Sequence, residues 1–64
     1  MASVDQELFG QALTAFQTGR LSDSEHQFKA LLQRQPNHVP ALNLLSVLLT
    51  QLGRFSEAEA YIKR

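Results

Sequence analysis

The chain has no cysteine, only three glycines and two prolines, and a formal net charge of zero from six basic and six acidic residues. Without cysteine there is neither a disulfide framework nor a thiolate metal site. A near-neutral chain with scattered charge lacks the basic stripe that supplies most nucleic-acid affinity, and it does not suit an anionic membrane surface. The three glycines are isolated, and none falls in a GxGxxG or Walker pattern that would cradle phosphate. The opening stretch MASVDQELFG has no basic start and no continuous apolar run, because Asp5 and Glu7 interrupt it. It therefore does not read as a secretory signal. The most apolar segment, VPALNLLSVLLTQL, is too short to span a bilayer and is broken by Asn43, Ser46 and Gln51. The cytoplasm is the expected compartment.

Catalytic constellations are equally scarce. His26 and His38 are the only histidines, and neither has carboxylates at ligand spacing. The run Ser22-Asp23-Ser24-Glu25-His26 holds the residue types of a hydrolase triad. Adjacent residues splay around a helix, however, and cannot converge on one point. No catalytic residue, cofactor or metal site is assigned, and the chain is not read as an enzyme.

What is present is a repetition. GRLSDSE begins at Gly19 and GRFSEAE at Gly53, a spacing of 34 residues. Sliding the chain by 34 gives seven identities in 26 pairs, adding Leu8/Leu42, Gln17/Gln51 and Lys29/Lys63 to the four within those stretches. A fixed period of this length is the signature of a stacked repeat array. Sixty-four residues allow one small domain whose stability is marginal without association.

Each unit reads as a helical hairpin. Leu8, Ala12, Ala15 and Phe16 fall on one face of a first helix. Gly19 stops it, since glycine takes the left-handed C-cap conformation without steric cost. Ser22 and Glu25 have capping-box spacing for a second helix, as do Ser56 and Glu59 for a fourth. Leu21, Ser24, Phe28, Leu31 and Leu32 form the inner side of the second helix, which ends before Pro36. Asn37 or His38 opens the third helix, with Pro40 in its first turn. That helix is apolar around much of its circumference, which requires neighbours on more than one side. Gly10 is a puzzle, because glycine inside a helix costs about 1 kcal/mol relative to alanine. Either the site is a tolerated weak spot or another backbone approaches there. The reading is all-α: two antiparallel helix-turn-helix hairpins, with helices over about 4–18, 22–35, 39–52 and 55–64. Residues 1–4 form a lead-in, 5–38 a first unit, and 39–64 a second unit with a truncated last helix.

These residues resemble the tetratricopeptide repeat (TPR) family over positions 5–64. The resemblance rests on the period and on Leu8/Leu42, Gly19/Gly53, Leu21/Phe55, Ser24/Ala58, Phe28/Ile62 and Pro36-Asn37. Ala12 and Ser46 match the small residue where the two helices cross. Gln11 departs from a leucine that Leu45 matches, as befits a less buried first helix. The resemblance implies a short right-handed α-solenoid that binds a peptide or another protein surface in a concave groove, without catalysis of its own. Its geometry would line the groove with Gln6, Phe9, Leu13, Phe16 and Gln17 from the first unit. The second unit would offer Asn43, Val47, Thr50 and Gln51. Some members grip a C-terminal carboxylate with lysine and asparagine at the positions of Phe9 and Leu13. An apolar or mixed peptide, or a helix, is therefore the expected ligand here. Phe9 and Phe16 have the alternative of completing the small core.

Two units are fewer than the roughly three that bury a continuous core. Leu45, Leu48 and Leu52, extended by Tyr61 and Ile62, are expected to form an uncovered face at the C-terminal end. Self-association through that face is expected, with a homodimer favoured over a higher oligomer, unless further repeats of a longer chain cover it. A competing reading makes the segment the substrate-recruiting arm of a larger enzyme. The resemblance extends to the N-terminal repeats of proteins similar to O-linked N-acetylglucosaminyltransferases or sulfotransferases. A third makes it a purely structural assembly unit.

Overall fold

A computed structural model describes residues 4–63. Four helices follow one another: α1 (Val4–Gln17), α2 (Leu21–Arg34), α3 (Val39–Gln51) and α4 (Phe55–Ile62), with no strand among the described residues. Consecutive helices pack in turn, α1 on α2, α2 on α3 and α3 on α4. The helix ends lie within about two residues of the sequence expectation, and residue 64 falls outside the described range.

The two glycine stops form as the period requires. Gly19 has φ 82° and Gly53 has φ 77°, both left-handed. At the first turn Arg20 N–H donates to the Ala15 carbonyl at 2.8 Å, and Gly19 N–H donates to Phe16 at 3.2 Å. At the second, Arg54 donates to Leu49 at 2.9 Å and Gly53 to Thr50 at 3.0 Å. Both are Schellman motifs, in which paired bonds satisfy the last carbonyls of the helix.

The capping boxes do not form. Helices α2 and α4 begin one residue before the serines, with Arg20 and Arg54 at the N-cap and no side-chain cap bond. The Schellman turn uses only two residues, so the chain is helical again before Ser22 and Ser56 can reach the capping position. Glu25 instead accepts from Arg54 and Lys29, both at 2.7 Å, and Glu59 pairs with Lys63 at 2.8 Å. The α3 start behaves as read: His38 is the N-cap, its Nδ1 accepts from the Ala41 N–H at 3.1 Å, and Pro40 lies in the first turn.

Inside each hairpin the helices cross on one alanine and one serine. Ser24 is fully buried on α2 and its Oγ donates to the Ala12 carbonyl of α1 at 2.7 Å. In the second hairpin the types exchange places. Ser46 on α3 bonds its own Leu42 carbonyl at 2.8 Å, and Ala58 is the small residue on α4. Small side chains at both crossings let the larger Phe28, Leu31, Leu45, Leu48 and Leu49 close into one core. The first hairpin is also tied at its open end, where Asp5 accepts from Arg34 and Gln35.

Opposite responses are expected at two glycines. A Cβ at Gly10 would meet nothing within 4 Å, so Gly10→Ala should raise thermal stability by up to about 1 kcal/mol. Gly19→Ala must hold a left-handed backbone and should lower it by about 1–2 kcal/mol. Thermal unfolding followed by circular dichroism measures both, and equal responses would contradict the assigned conformations.

Candidate interaction surfaces

The 34-residue period allows a comparison that a non-repeating protein does not. Equivalent positions in the two hairpins carry the same local geometry, so a difference in burial identifies what the other hairpin covers. Ala41, Leu45 and Leu48 on α3 are fully buried, whereas their equivalents Glu7, Gln11 and Thr14 on α1 are exposed. That side of α3 therefore faces the first hairpin. Conversely, Phe28 is fully buried and its equivalent Ile62 is 68% exposed. That side of the first hairpin is covered by the second, and the same side of the second hairpin is open.

This comparison corrects the expected self-association face. Leu45 and Leu48 lie at the joint between the hairpins and cannot contribute to an outer surface. A helix apolar on most sides does not reveal which side is the joint. Leu52, exposed Ile62 and half-buried Tyr61 keep accessible surface, as does Val47.

Six of the nine expected groove residues line two separate depressions, and Leu13, Phe16 and Gln17 line neither. Asn43, Val47, Thr50 and Gln51 come together with Ser46 and Ile62 around an open depression of about 410 Å³. Gln6 and Phe9 line another of about 410 Å³, with Asp5, Gln35, His38 and Pro40. Phe9 also packs edge-on to Phe28, with ring centroids 6.1 Å apart, and tilted against His38 at 5.3 Å. Phe16 packs against the core as well, so both phenylalanines serve the core while keeping part of their surface open. Leu13 is half-buried and Gln17 is exposed. The contribution of Ile62 to the α3 depression was not read from the sequence as part of the groove. The period itself carried that signal, because Ile62 is the equivalent of buried Phe28.

The joint between the hairpins carries a chain of ion pairs. Lys29 and Arg54 both hold Glu25, and Arg54 Nη2 also donates to Glu57 at 2.7 Å. Arg54 and then Lys29 hold the Glu25 carboxyl below its ordinary pKa of 4.5, against an opposing push from partial burial. Arg54 likewise lowers Glu57, and Arg34 with Gln35 lowers Asp5. Among the described residues no three His, Cys, Asp or Glu side chains are grouped to hold a metal ion. No described helix is long and apolar enough to cross a membrane.

The tetratricopeptide repeat family model matches residues 9–64. The chain therefore belongs to that family, whose repeats generally mediate contacts between proteins and are typically not catalytic. No curated protein and no solved structure matches the chain.

Acid should weaken the joint. An unfolded Glu25 titrates near 4.5 and the folded one lower, so its pairing stabilises the fold fully above that value. The contribution disappears as pH falls through the lower, folded pKa. Thermal melts of Glu25→Gln should show a lower Tm than the parent at neutral pH and a shallower loss on acidification. Parallel pH profiles would exclude Glu25 as a contributor.

Proposed function

We propose that this chain is a non-catalytic interaction module that takes an apolar or mixed peptide, or a helix, across the first helices of its two repeats. The observation that carries the reading is the open depression where exposed Val47 and Ile62 lie among Asn43, Ser46, Thr50 and Gln51; Leu13 and Gln17 are proposed to continue it onto α1. Apolar area lies at its centre, and amide and hydroxyl groups at its edge supply hydrogen bonds. This division is common to protein recognition sites. Gln6 and Phe9 extend the surface toward the α2–α3 turn. The proposed units run over residues 5–38 and 39–64, each contributing one helix to the groove. No lysine–asparagine clamp stands at Phe9 and Leu13, which favours an apolar ligand over a terminal carboxylate.

Leu13 is the better probe of this groove than either phenylalanine. Phe9 and Phe16 pack on the core, and truncating them would disturb the fold. Val47 is the equivalent position in the second repeat. A second surface, formed by Val47, Leu52, Tyr61 and Ile62 at the α3–α4 end, supports self-association. As the recruiting arm of a larger enzyme, the same groove would take the protein substrate.

Peptides selected on the parent chain from a random library supply the test. Leu13→Asn and Val47→Asn should each weaken the selected peptides by about tenfold or more while retaining helicity. Unchanged affinity in both variants would move the ligand off this face.

A further inference from the structure

The two ends of the molecule carry complementary halves of its internal joint. Within the chain that joint consists of Lys29, Glu25, Arg54 and Glu57 in a continuous ionic chain. Advancing the first two residues by one period gives Lys63 and Glu59, which form an ion pair at 2.8 Å on the exposed surface of α4. Moving the last two back by one period gives Arg20 and Asp23, which lie together at the rim of a cleft of about 520 Å³ between α1 and α2. One end therefore presents the lysine–glutamate half, and the other presents the arginine–aspartate half.

The cleft has two further features. Gln27 lines it, and its Oε1 is buried without a hydrogen-bond partner. A buried acceptor left unpaired is costly, so a donor brought to it stabilises the contact. Its equivalent in the second hairpin is Tyr61, which lines a depression together with Lys29. By the same period, Gln27 would face the equivalent of Lys29, which is Lys63 of another copy. Gly10 also lines the cleft and leaves its floor without a side chain.

We infer that copies of this chain associate head to tail, the α3–α4 end of one seating on the α1–α2 cleft of the next. Glu59 of one copy accepts from Arg20 of the next, and Lys63 donates to the Gln27 Oε1. Ile62 of the first copy, with Val47 and Ser46 beside it, receives the α1 face of the second, as Phe28 of α2 meets α3 inside the chain. The inference rests on the interaction-module reading and gives its self-associating surface an occupant. The contact is heterologous, so it propagates rather than closing as a two-fold dimer. Glu7, Gln11 and Thr14 stand where the internal joint has Ala41, Leu45 and Leu48, so the contact between copies is weaker than the internal one. Its dependence on exposed charge makes it sensitive to salt.

Sedimentation velocity over a concentration series tests the contact. The parent should associate reversibly, and less so at high salt. Arg20→Glu and Glu59→Arg should each weaken association by about tenfold or more, since like charges then meet at the contact. An equimolar mixture of the two variants should associate again, because each like-charge pair is replaced by an opposite pair. The double variant R20E/E59R should also recover, and recovery in the mixture shows that the single variants are folded. A parent that stays monomeric overturns the inference. So does an Arg20→Glu variant that associates like the parent, as a two-fold contact confined to the C-terminal end requires. Peptide binding at Leu13 is measured separately on the Arg20→Glu variant. Retained binding there leaves the groove reading standing whatever the state of association.

Discussion

The close approach of α1 and α2 is the constraint on which the rest of the structure depends. The Ser24 hydroxyl reaches the Ala12 carbonyl at 2.7 Å in a site closed to solvent. A larger residue at either position would push the helices apart. Phe28, one turn further along α2, would then lose the enclosed site it fills. The second hairpin meets the same requirement with the residue types exchanged, Ser46 opposite Ala58. What the period preserves here is side-chain volume at the crossing, and the identity of the polar partner is free to change sides.

Two hairpins built alike must meet on unlike faces, and this asymmetry generates the candidate functional surfaces. The side of α3 that meets the first hairpin is apolar, while the same side of α1 carries Glu7, Gln11 and Thr14. The side of the first hairpin that meets α3 is built around Phe28, while the same side of the second hairpin leaves Ile62 open. Individual exposed ion pairs contribute little to stability. At the joint they fix which faces meet, because Glu25 accepts from cations on both hairpins. In the head-to-tail contact we infer, the same arrangement is divided between the two ends.

Much of the fold was legible because its signals are local. Gly19 and Gly53 needed no tertiary context to stop their helices, since only a left-handed residue completes the paired carbonyl bonds. Pro36 and His38 marked the turn between hairpins for equally local reasons. The capping boxes misled because the spacing of Ser22 and Glu25 is compatible with two starting points one residue apart. The length of the glycine turn decides between them. The sequence expectation for Leu45 and Leu48 fails for a different reason. On a helix apolar nearly all round, composition does not distinguish a joint from an open end. Comparing each residue with its partner one period away does, because Leu45 and Leu48 are closed to solvent where Gln11 and Thr14 are exposed. Phe9 and Phe16 sit between the two expectations. Their rings serve the core, and each keeps part of its surface open.

Amide chemical shifts of the labelled chain, followed from dilute to concentrated solution, test most directly the claim that the two ends are complementary. Both ends should shift together and with one concentration dependence. One set should contain Gly10, Gln11, Arg20 and Gln27, and the other Ser46, Val47, Glu59 and Ile62. Shifts confined to the α3–α4 set would show a two-fold contact and contradict head-to-tail complementarity, as would spectra that do not change with concentration.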